Sequence, residues 1–149
     1  MIKFVLGFAF TLDNRVALIR KARPFWQKDR LNGIGGHVEQ TETVRDAMVR
    51  EFSEETGVII PDYRWRRVGG MIADDWACAV FTTMSSDVNR IRTMTDEYVI
   101  LHPIDIPLSP RQAIENVPAL IALCQMVGGP PSGTVPKFIL DYREKPNVH

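Results

Sequence analysis

The sequence has few of the features that mark secreted, membrane or nucleic-acid-binding proteins. Its 149 residues include only two cysteines, Cys78 and Cys124, and both lie in apolar patterns without metal-ligand spacing. This excludes a disulfide framework and favours buried, reduced thiols in a cytoplasmic protein. Eighteen basic and eighteen acidic residues give a formal net charge of zero. We therefore expect neither a polyanion-binding surface nor a nucleic-acid partner.

Long apolar runs and internal repeats are also absent. The apolar segment 1–10 is too short to span a membrane, so we expect no membrane partner. No small-residue cleavage site follows this segment, and Asp13, Asn14 and Arg15 arrive at once. The opening of the chain is therefore predicted to be a strand and not a signal peptide.

The chain does contain alternating strand-like and helix-like segments. A chain of 149 residues buries about two thirds of its unfolded surface, which predicts one domain. We assign residues 1–127 to that domain and treat the Gly/Pro-rich residues 128–149 as a C-terminal extension that can pack on it. The predicted strands are 2–10, 15–20, 58–60, 64–72, 76–83 and 98–101, with KFILDY as a short extra strand. Asn116 should cap a second helix that Gly128-Gly129 ends.

One segment, residues 36–58, carries most of the chemical information. Residues 43–56 are predicted to form a helix, because good helix formers are followed by Gly57, which suits the left-handed position after a helix. Thr41 or Thr43 can cap its start, and Asp46 stands three residues after Thr43. The helix is therefore bounded by signals at both ends.

Three glutamates share one face of this predicted helix. Glu51, Glu54 and Glu55 stand at i, i+3 and i+4, within an arc of roughly 100°. Like charges at this spacing destabilise a helix unless something compensates them. One interpretation is a solvated acidic face. The other is a site for a hard divalent cation, which prefers carboxylate oxygens.

The whole segment favours the second interpretation. Reading from Gly36, it matches Gly-x5-Glu-x7-Arg-Glu-apolar-x-Glu-Glu-x-Gly-apolar at all nine defined positions. In this it resembles the Nudix box, and the chain is similar to the MutT-like Nudix hydrolases over residues 1 to about 127. The resemblance implies an α/β/α sandwich with a mixed sheet. It also implies cleavage of nucleoside diphosphates linked to another group.

The resemblance implies roles for individual residues. The expected metal ligands are the Gly36 carbonyl, Glu51, Glu54 and Glu55. Arg50 is expected to orient these carboxylates, and with Glu51 and Glu54 it forms the expected catalytic set. Glu42 is expected to contact the side chains that surround the metal ligands and not the metal ion itself. Mg²⁺ is the expected ion, with Mn²⁺ as a substitute, because the ion offsets phosphate charge and acidifies a coordinated water.

The resemblance leaves two alternatives for the general base, which can be a glutamate of the box or a carboxylate outside it. Asp96-Glu97 stands directly before the predicted strand 98–101, where MutT-like enzymes place an extra metal-binding or basic glutamate. By this resemblance Glu97 is both a candidate metal ligand and a candidate base. The alternative is an ordinary polar turn.

Signals for the substrate lie just before the box. LNGIGGHVE is similar to the WNGFGGKV stretch of hydrolases that act on oxidised purine nucleoside triphosphates, which places Asn32 where that branch contacts the base. Leu31 replaces the tryptophan of that stretch, and residues 101–103 lack the residues with which that branch reads the base. The loop KARPFWQKDR adds Arg23 and Trp26 as candidate substrate contacts, although Trp26 can instead cover the core.

These patterns support one leading function and two alternatives. The leading one is Mg²⁺-dependent hydrolysis of a (deoxy)nucleoside triphosphate to the monophosphate and pyrophosphate. The second is cleavage of ADP-ribose or a dinucleoside polyphosphate. The third is a nucleotide-binding protein that has kept the fold without catalysis. We expect a small-molecule nucleotide as the substrate, and a monomer or homodimer.

Overall fold

The computed structural model describes residues 1–127 and 137–144. Within them, a mixed eight-stranded sheet lies between two α-helices, so the predicted α/β/α sandwich is confirmed. The strands are β1 (Ile2–Phe10), β2 (Arg15–Arg20), β3 (Leu31–Asn32), β4 (Ile34–His37), β5 (Arg66–Ile72), β6 (Trp76–Met84), β7 (Tyr98–Pro103) and β8 (Phe138–Asp141). The α-helices are α1 (Val44–Thr56) and α2 (Val117–Val127), and short 3-10 helices cover Phe25–Gln27, Asp62–Arg64 and Ser86–Arg90.

The sheet is built around β1. This strand pairs with β6 in parallel along its whole length, from Ile2 opposite Trp76 to Phe10 opposite Met84. On its other side β1 pairs antiparallel with β4 and β2, and β2 continues to β3 and β7. Beyond β6 follow β5 and then β8. The central position of β1 explains its nearly continuous apolar sequence, because a strand covered on both faces needs no polar side.

Each face of the sheet has its own hydrophobic core. On the α2 side, Leu6, Phe8 and Phe10 of β1 pack with α2. On the α1 side, Val5 of β1 packs with Phe52 of α1. A large side chain such as Phe52 stabilises the fold by about 1.5 to 3 kcal/mol when it is fully buried. Both helices are therefore held by burial of one apolar face.

The ends of α1 follow the sequence signals. The Thr43 hydroxyl accepts from the Asp46 amide at 3.1 Å, and the Asp46 carboxylate accepts from the Thr43 amide at 3.4 Å. At the other end Gly57 has φ 73°, a conformation that costs glycine little. The predicted capping box and the predicted helix end are therefore confirmed.

Two strand predictions were wrong. Residues 58–60 keep a strand-like alternation, with Val58 and Ile60 buried and Ile59 exposed, but the segment belongs to no strand. An alternating pattern alone does not form a strand, because a hydrogen-bonded neighbour is also needed. The predicted strand 64–72 begins only at Arg66, since Arg64 belongs to a short 3-10 helix.

The C-terminal extension supplies the predicted extra strand. β8 pairs in parallel with β5 and thereby covers that edge of the sheet. Asn116 directly precedes α2, and its carbonyl accepts from the Leu120 amide. The predicted end of α2 at Gly128-Gly129 lies outside the described residues.

The described part of the chain has no helix with the length and apolarity needed to cross a membrane. Cys78 and Cys124 are free and buried, as predicted. Burial raises the pKa of each thiol to about 12, so both remain protonated at neutral pH. The cytoplasmic location stays a prediction.

Candidate active site

The carboxylate-rich end of α1 lies directly against β4. This strand runs antiparallel to β1, with Gly36 opposite Val5. A Cβ atom at position 36 would lie 2.5 Å from Oε1 of Glu51, closer than a side-chain carbon can approach. The backbone of Gly36 and the carboxylate of Glu51 are therefore adjacent. A shared ion between a carbonyl and a carboxylate requires such proximity.

Arg50 is the centre of the hydrogen-bond network at this end of α1. Its Nε and Nη2 donate to Glu42 at 3.0 and 2.6 Å. Its Nη1 donates to Glu51 at 3.0 Å and to Glu54 at 3.2 Å. Nη2 also donates to the His37 carbonyl at 2.9 Å, which links α1 to the end of β4. These contacts place Arg50 between Glu42 and the glutamates of α1; the orienting role of Arg50 and the supporting role of Glu42 stay predictions.

The charges of this network are unevenly compensated. The bonds from Arg50 lower the pKa of Glu42, while those to Glu42 raise the pKa of Arg50. Burial raises the pKa of Glu51, against the opposing effect of Arg50. Burial also raises the pKa of Glu55, and the nearby charge of Glu97 adds to that shift. The site therefore holds buried negative charge that a cation would stabilise.

Glu97 lies beside the box and is nearly inaccessible, with 5% of its surface exposed. Lys21 Nζ lies 3.2 Å from its Oε1, and the Ala22 amide donates to its Oε2 at 2.6 Å. The Thr95 hydroxyl accepts from the Glu97 amide at 3.1 Å and donates to Glu55 at 3.3 Å. Thr95 thus connects Glu97 to a box glutamate. Glu97 is therefore buried with both carboxylate oxygens hydrogen-bonded, and its role as metal ligand or base stays a prediction.

The oxygen donors are of the kind that a hard divalent cation prefers, although the carboxylates are not arranged around a single ion position. In residues 1–127 and 137–144, no three His, Cys, Asp or Glu side chains are placed so that they could hold a metal ion. Arg50 bonds to both Glu51 and Glu54, and 58% of the Glu54 side chain is exposed. Oxygen donors from Gly36, Glu51 and Glu55 nevertheless match the preference of Mg²⁺ and Mn²⁺. The ligand assignments stay predictions.

A cleft of about 860 Å³ opens beside these carboxylates, and its lining includes Glu51, Glu55 and Glu97. Asn32 and Trp26 also line it. The side-chain oxygen of Asn32 accepts from the Gly33 amide at 2.8 Å, so its amide NH₂ stays available as a donor. Trp26 is 60% exposed, which excludes the alternative that it covers the core. Both are brought to the same cleft as the box.

Arg23 also lines the cleft, but its guanidinium is paired with Asp96. Both side chains are more than 60% exposed, at 64% and 62%. An exposed pair of this kind contributes little stability and can exchange partners at low cost. Arg23 therefore remains a candidate contact for a phosphate.

Two residues of this arrangement were not predicted from the sequence. Lys21 faces Glu97 because β2 and β7 pair with Arg20 opposite Tyr98, which brings the residues next to this pair together. Thr95 reaches Glu55 across 40 positions of sequence. The sequence signals for these contacts are a basic residue just after β2 and a hydroxyl residue just before Asp96-Glu97. Neither signal indicates which residue is its partner.

A mixed sheet between two helices, with a helix-borne Arg–Glu network against a glycine-rich strand, is the architecture of the Nudix class. A family model described as the NUDIX domain matches residues 5–114. The chain therefore belongs to the Nudix hydrolase family, and the predicted resemblance is confirmed.

Individual relatives are more distant. The chain is similar to an uncharacterized Nudix hydrolase, YvcI of Bacillus subtilis, with 27% identity over 109 residues. That match covers 66% of each protein, just under two thirds of the relative's length.

Two solved structures share the fold. A structure from work on MutT of Aliivibrio salmonicida and Vibrio cholerae has a TM-score of 0.66 and 19% identity, over 84% of this chain and 98% of that chain. An ADP-ribose pyrophosphatase of Streptococcus suis has a TM-score of 0.67 and 14% identity, over 94% and 98%. At these identities the likeness shows the fold alone.

Proposed function

We propose that this protein hydrolyses a nucleoside diphosphate-linked compound, with a (deoxy)nucleoside triphosphate as the leading substrate and the monophosphate and pyrophosphate as products. One observation carries the proposal. The Arg50 network holds its glutamates beside Gly36 at the edge of a cleft large enough for a nucleotide. An inactive binding protein has no need to keep buried like charges in this costly arrangement.

The metal-binding groups proposed are the Gly36 carbonyl, Glu51, Glu54, Glu55 and Glu97. When bound, Mg²⁺ or Mn²⁺ would offset the charge of the phosphates and lower the pKa of a coordinated water. Arg50 donates four hydrogen bonds to the carboxylates of Glu42, Glu51 and Glu54 and a fifth to the His37 carbonyl, and these bonds keep the three carboxylates oriented. Lys21 balances part of the charge of Glu97.

Hydrolysis needs a group that takes the proton of the attacking water as the phosphoanhydride bond breaks. Glu51, Glu55 and Glu97 line the cleft, and Glu51 already accepts a hydrogen bond from Arg50. Both oxygens of Glu97 already accept hydrogen bonds, from Lys21 and from the Ala22 amide. We propose that Glu97 anchors the arrangement and that Glu55, whose pKa burial raises, accepts the proton.

The neighbouring residues Asp96 and Glu97 provide a matched test. Glu97→Gln should lower turnover about tenfold or more, because it weakens the bond to Lys21 and disturbs Glu55. Asp96→Asn should change turnover less than about twofold, since it weakens an exposed ion pair with Arg23 at the surface. Steady-state kinetics with both variants is the measurement. Equal, small effects would reject a role for Glu97.

The second candidate function is cleavage of ADP-ribose or a dinucleoside polyphosphate. It is supported by the fold shared with an ADP-ribose pyrophosphatase and by Leu31, which replaces the tryptophan of the triphosphate branch. The triphosphate assignment rests on Asn32, which lies in the cleft. Both substrates contain the same scissile linkage, so the box alone does not separate them.

A substrate panel tests the proposed function. The purified protein is incubated with Mg²⁺ and purine triphosphates, ADP-ribose or diadenosine polyphosphates, and the products are identified by chromatography. We expect purine (deoxy)nucleoside triphosphates to release pyrophosphate and not orthophosphate. Cleavage of ADP-ribose to AMP with triphosphates untouched would establish the second candidate instead. Binding without hydrolysis of any member would indicate an inactive nucleotide-binding protein.

We further propose that residues 1–127 form the Nudix domain and that residues 128–149 extend it. The family match at 5–114 and the pairing of β8 with β5 support this division. The substrate is proposed to be a small nucleotide handled in the cytoplasm without a nucleic-acid or membrane partner. A monomer and a homodimer are both compatible with this proposal.

A further inference from the structure

The C-terminal strand β8 brings a tyrosine to the cleft. Gly69 lets the strand approach closely, because a Cβ atom at this position would lie 2.4 Å from the Phe138 carbonyl oxygen. The Tyr142 amide donates to the Ile72 carbonyl at 2.8 Å, which continues the pairing one residue past β8. Tyr142 lines the same cleft as the box glutamates. The extension is therefore part of the cleft and not only an edge strand.

The ring of Tyr142 belongs to a row of aromatic contacts. It packs against Trp76 with centroids 6.0 Å apart and an angle of 34° between the rings. Trp76 meets Phe4 edge-on, with ring centroids 6.4 Å apart, and the centroids of Phe4 and His37 lie 4.5 Å apart. Since His37 follows Gly36, the row leads from the box to Tyr142, with two rings between its ends. We call Trp76 and Tyr142 the aromatic wall.

Core packing explains the position of Trp76, which packs against the core on the α2 side, but not that of Tyr142. Tyr142 is 49% exposed, so burial does not account for the position of its ring. Asn116 Nδ2 donates to the Tyr142 hydroxyl at 3.4 Å and to Sδ of Met71 at 3.3 Å. The bond to the tyrosine hydroxyl, at 3.4 Å, is longer than a usual hydrogen bond, so it orients the tyrosine without holding it strongly. A half-exposed ring held at a cleft can accept a planar ligand.

We propose that the aromatic wall packs against the planar base of the nucleotide, so that β8 and Tyr142 select ligands that carry a base. This rests on the proposed function, in which the phosphates lie at the box. With the phosphates bound at the box, the base extends along the cleft toward Trp76 and Tyr142. Aromatic rings stack with the faces of all bases. The wall therefore favours base-bearing ligands over sugar phosphates, and Tyr142 is a specificity residue.

Binding measurements test the wall without requiring catalysis. Calorimetry is performed with AMP and GMP, and with ribose 5-phosphate as the ligand that lacks a base. Tyr142→Leu should weaken nucleotide binding about 5- to 100-fold, the range for loss of one stacking contact, and leave ribose 5-phosphate unchanged. Tyr142→Phe keeps the ring and should stay close to the unmodified protein. Tyr63→Leu is the control, because Tyr63 is 81% exposed and lies outside the cleft lining.

Two further measurements separate binding from folding. Melting temperatures show whether Tyr142→Leu loosens β8. If the variant loosens β8, tryptophan fluorescence tests whether the aromatic wall contacts the base in proteins that keep Tyr142. AMP should change the emission of the unmodified protein more than that of Trp76→Phe, and ribose 5-phosphate should not. An equal response in both proteins would overturn the proposal. Unchanged nucleotide binding in a folded Tyr142→Leu variant, or equal weakening for all three ligands, would do the same.

The outcome is distinct from that of the substrate panel. Hydrolysis of triphosphates with no dependence of binding on Tyr142 would preserve the proposed function and reject the aromatic wall. Nucleotide binding that depends on Tyr142, without hydrolysis of any panel member, would preserve the wall and reject the enzyme.

Discussion

Replacing Glu54 or Glu55 by glutamine should lower turnover by about 10²- to 10⁴-fold, the range for removal of a key charge or proton-transfer group. Both glutamates are proposed metal ligands, and Glu55 is also the proposed proton acceptor. The change keeps the size of each side chain but removes its negative charge.

Because these glutamates are proposed to bind a metal ion, hydrolysis should require millimolar Mg²⁺ or Mn²⁺, and EDTA should abolish it. Steady-state rates with and without added metal provide the measurement.

The fold should survive both substitutions. Removing one of several like charges costs a helix little, and more than half of the Glu54 side chain, 58%, is already exposed. Melting temperatures of the variants should therefore stay near that of the unmodified protein. Glu39→Gln is the control, because Glu39 is an exposed glutamate outside α1. Full activity in the Glu54 and Glu55 variants would reject the proposed site.

The adjacent glycines of β4 should respond to alanine in opposite ways. At Gly36 the new Cβ would meet the Glu51 carboxylate at 2.5 Å, the far end of a flexible side chain that can move aside. Displacing a carboxylate by about 1 Å can cost on the order of 10²-fold in rate. Gly36→Ala should therefore lose about this much activity while its melting temperature changes little.

At Gly35 the obstacle is backbone. The new Cβ would lie 1.9 Å from the carbonyl oxygen of Val5, so the pairing of β4 with β1 would have to open. Gly35→Ala should lower the free energy of unfolding by at least about 1 to 3 kcal/mol, the usual cost of overpacking. Urea unfolding of both variants, together with their kinetics, gives the comparison. A stable, inactive Gly35→Ala beside an unstable Gly36→Ala would contradict this account.

Local sequence was sufficient to determine α1 and the face that carries its glutamates. The cap at Thr43, the partner Asp46 and the left-handed Gly57 act within a few residues of one another. The spacing of Glu51, Glu54 and Glu55 is equally local, because a helix repeats every 3.6 residues. The box pattern lies within this same segment and the strand before it. It therefore predicted the family and the fold without any knowledge of distant contacts.

Strand partners were decided only by the tertiary structure. An alternating pattern shows which face of a strand is buried, but it does not say which strand lies beside it. Residues 58–60 have the pattern and belong to no strand. The strand pattern of residues 138–141 is hardly stronger, yet these residues pair with β5 and cover its edge. Pairing depends on the positions of distant segments, which local preference does not encode.

The rest of the site depends on contacts of the same long-range kind. Lys21 and Glu97 lie 76 positions apart and meet because the register of β2 with β7 brings their neighbours together. Asn116 and Tyr142 meet across 26 positions, through the packing of the extension on β5. The sequence by itself thus determined the end of the cleft where the box places the proposed metal ligands, since these groups lie on one helix and the adjoining strand. Only the tertiary structure decided what faces that end, because those groups come from elements that meet when the sheet forms.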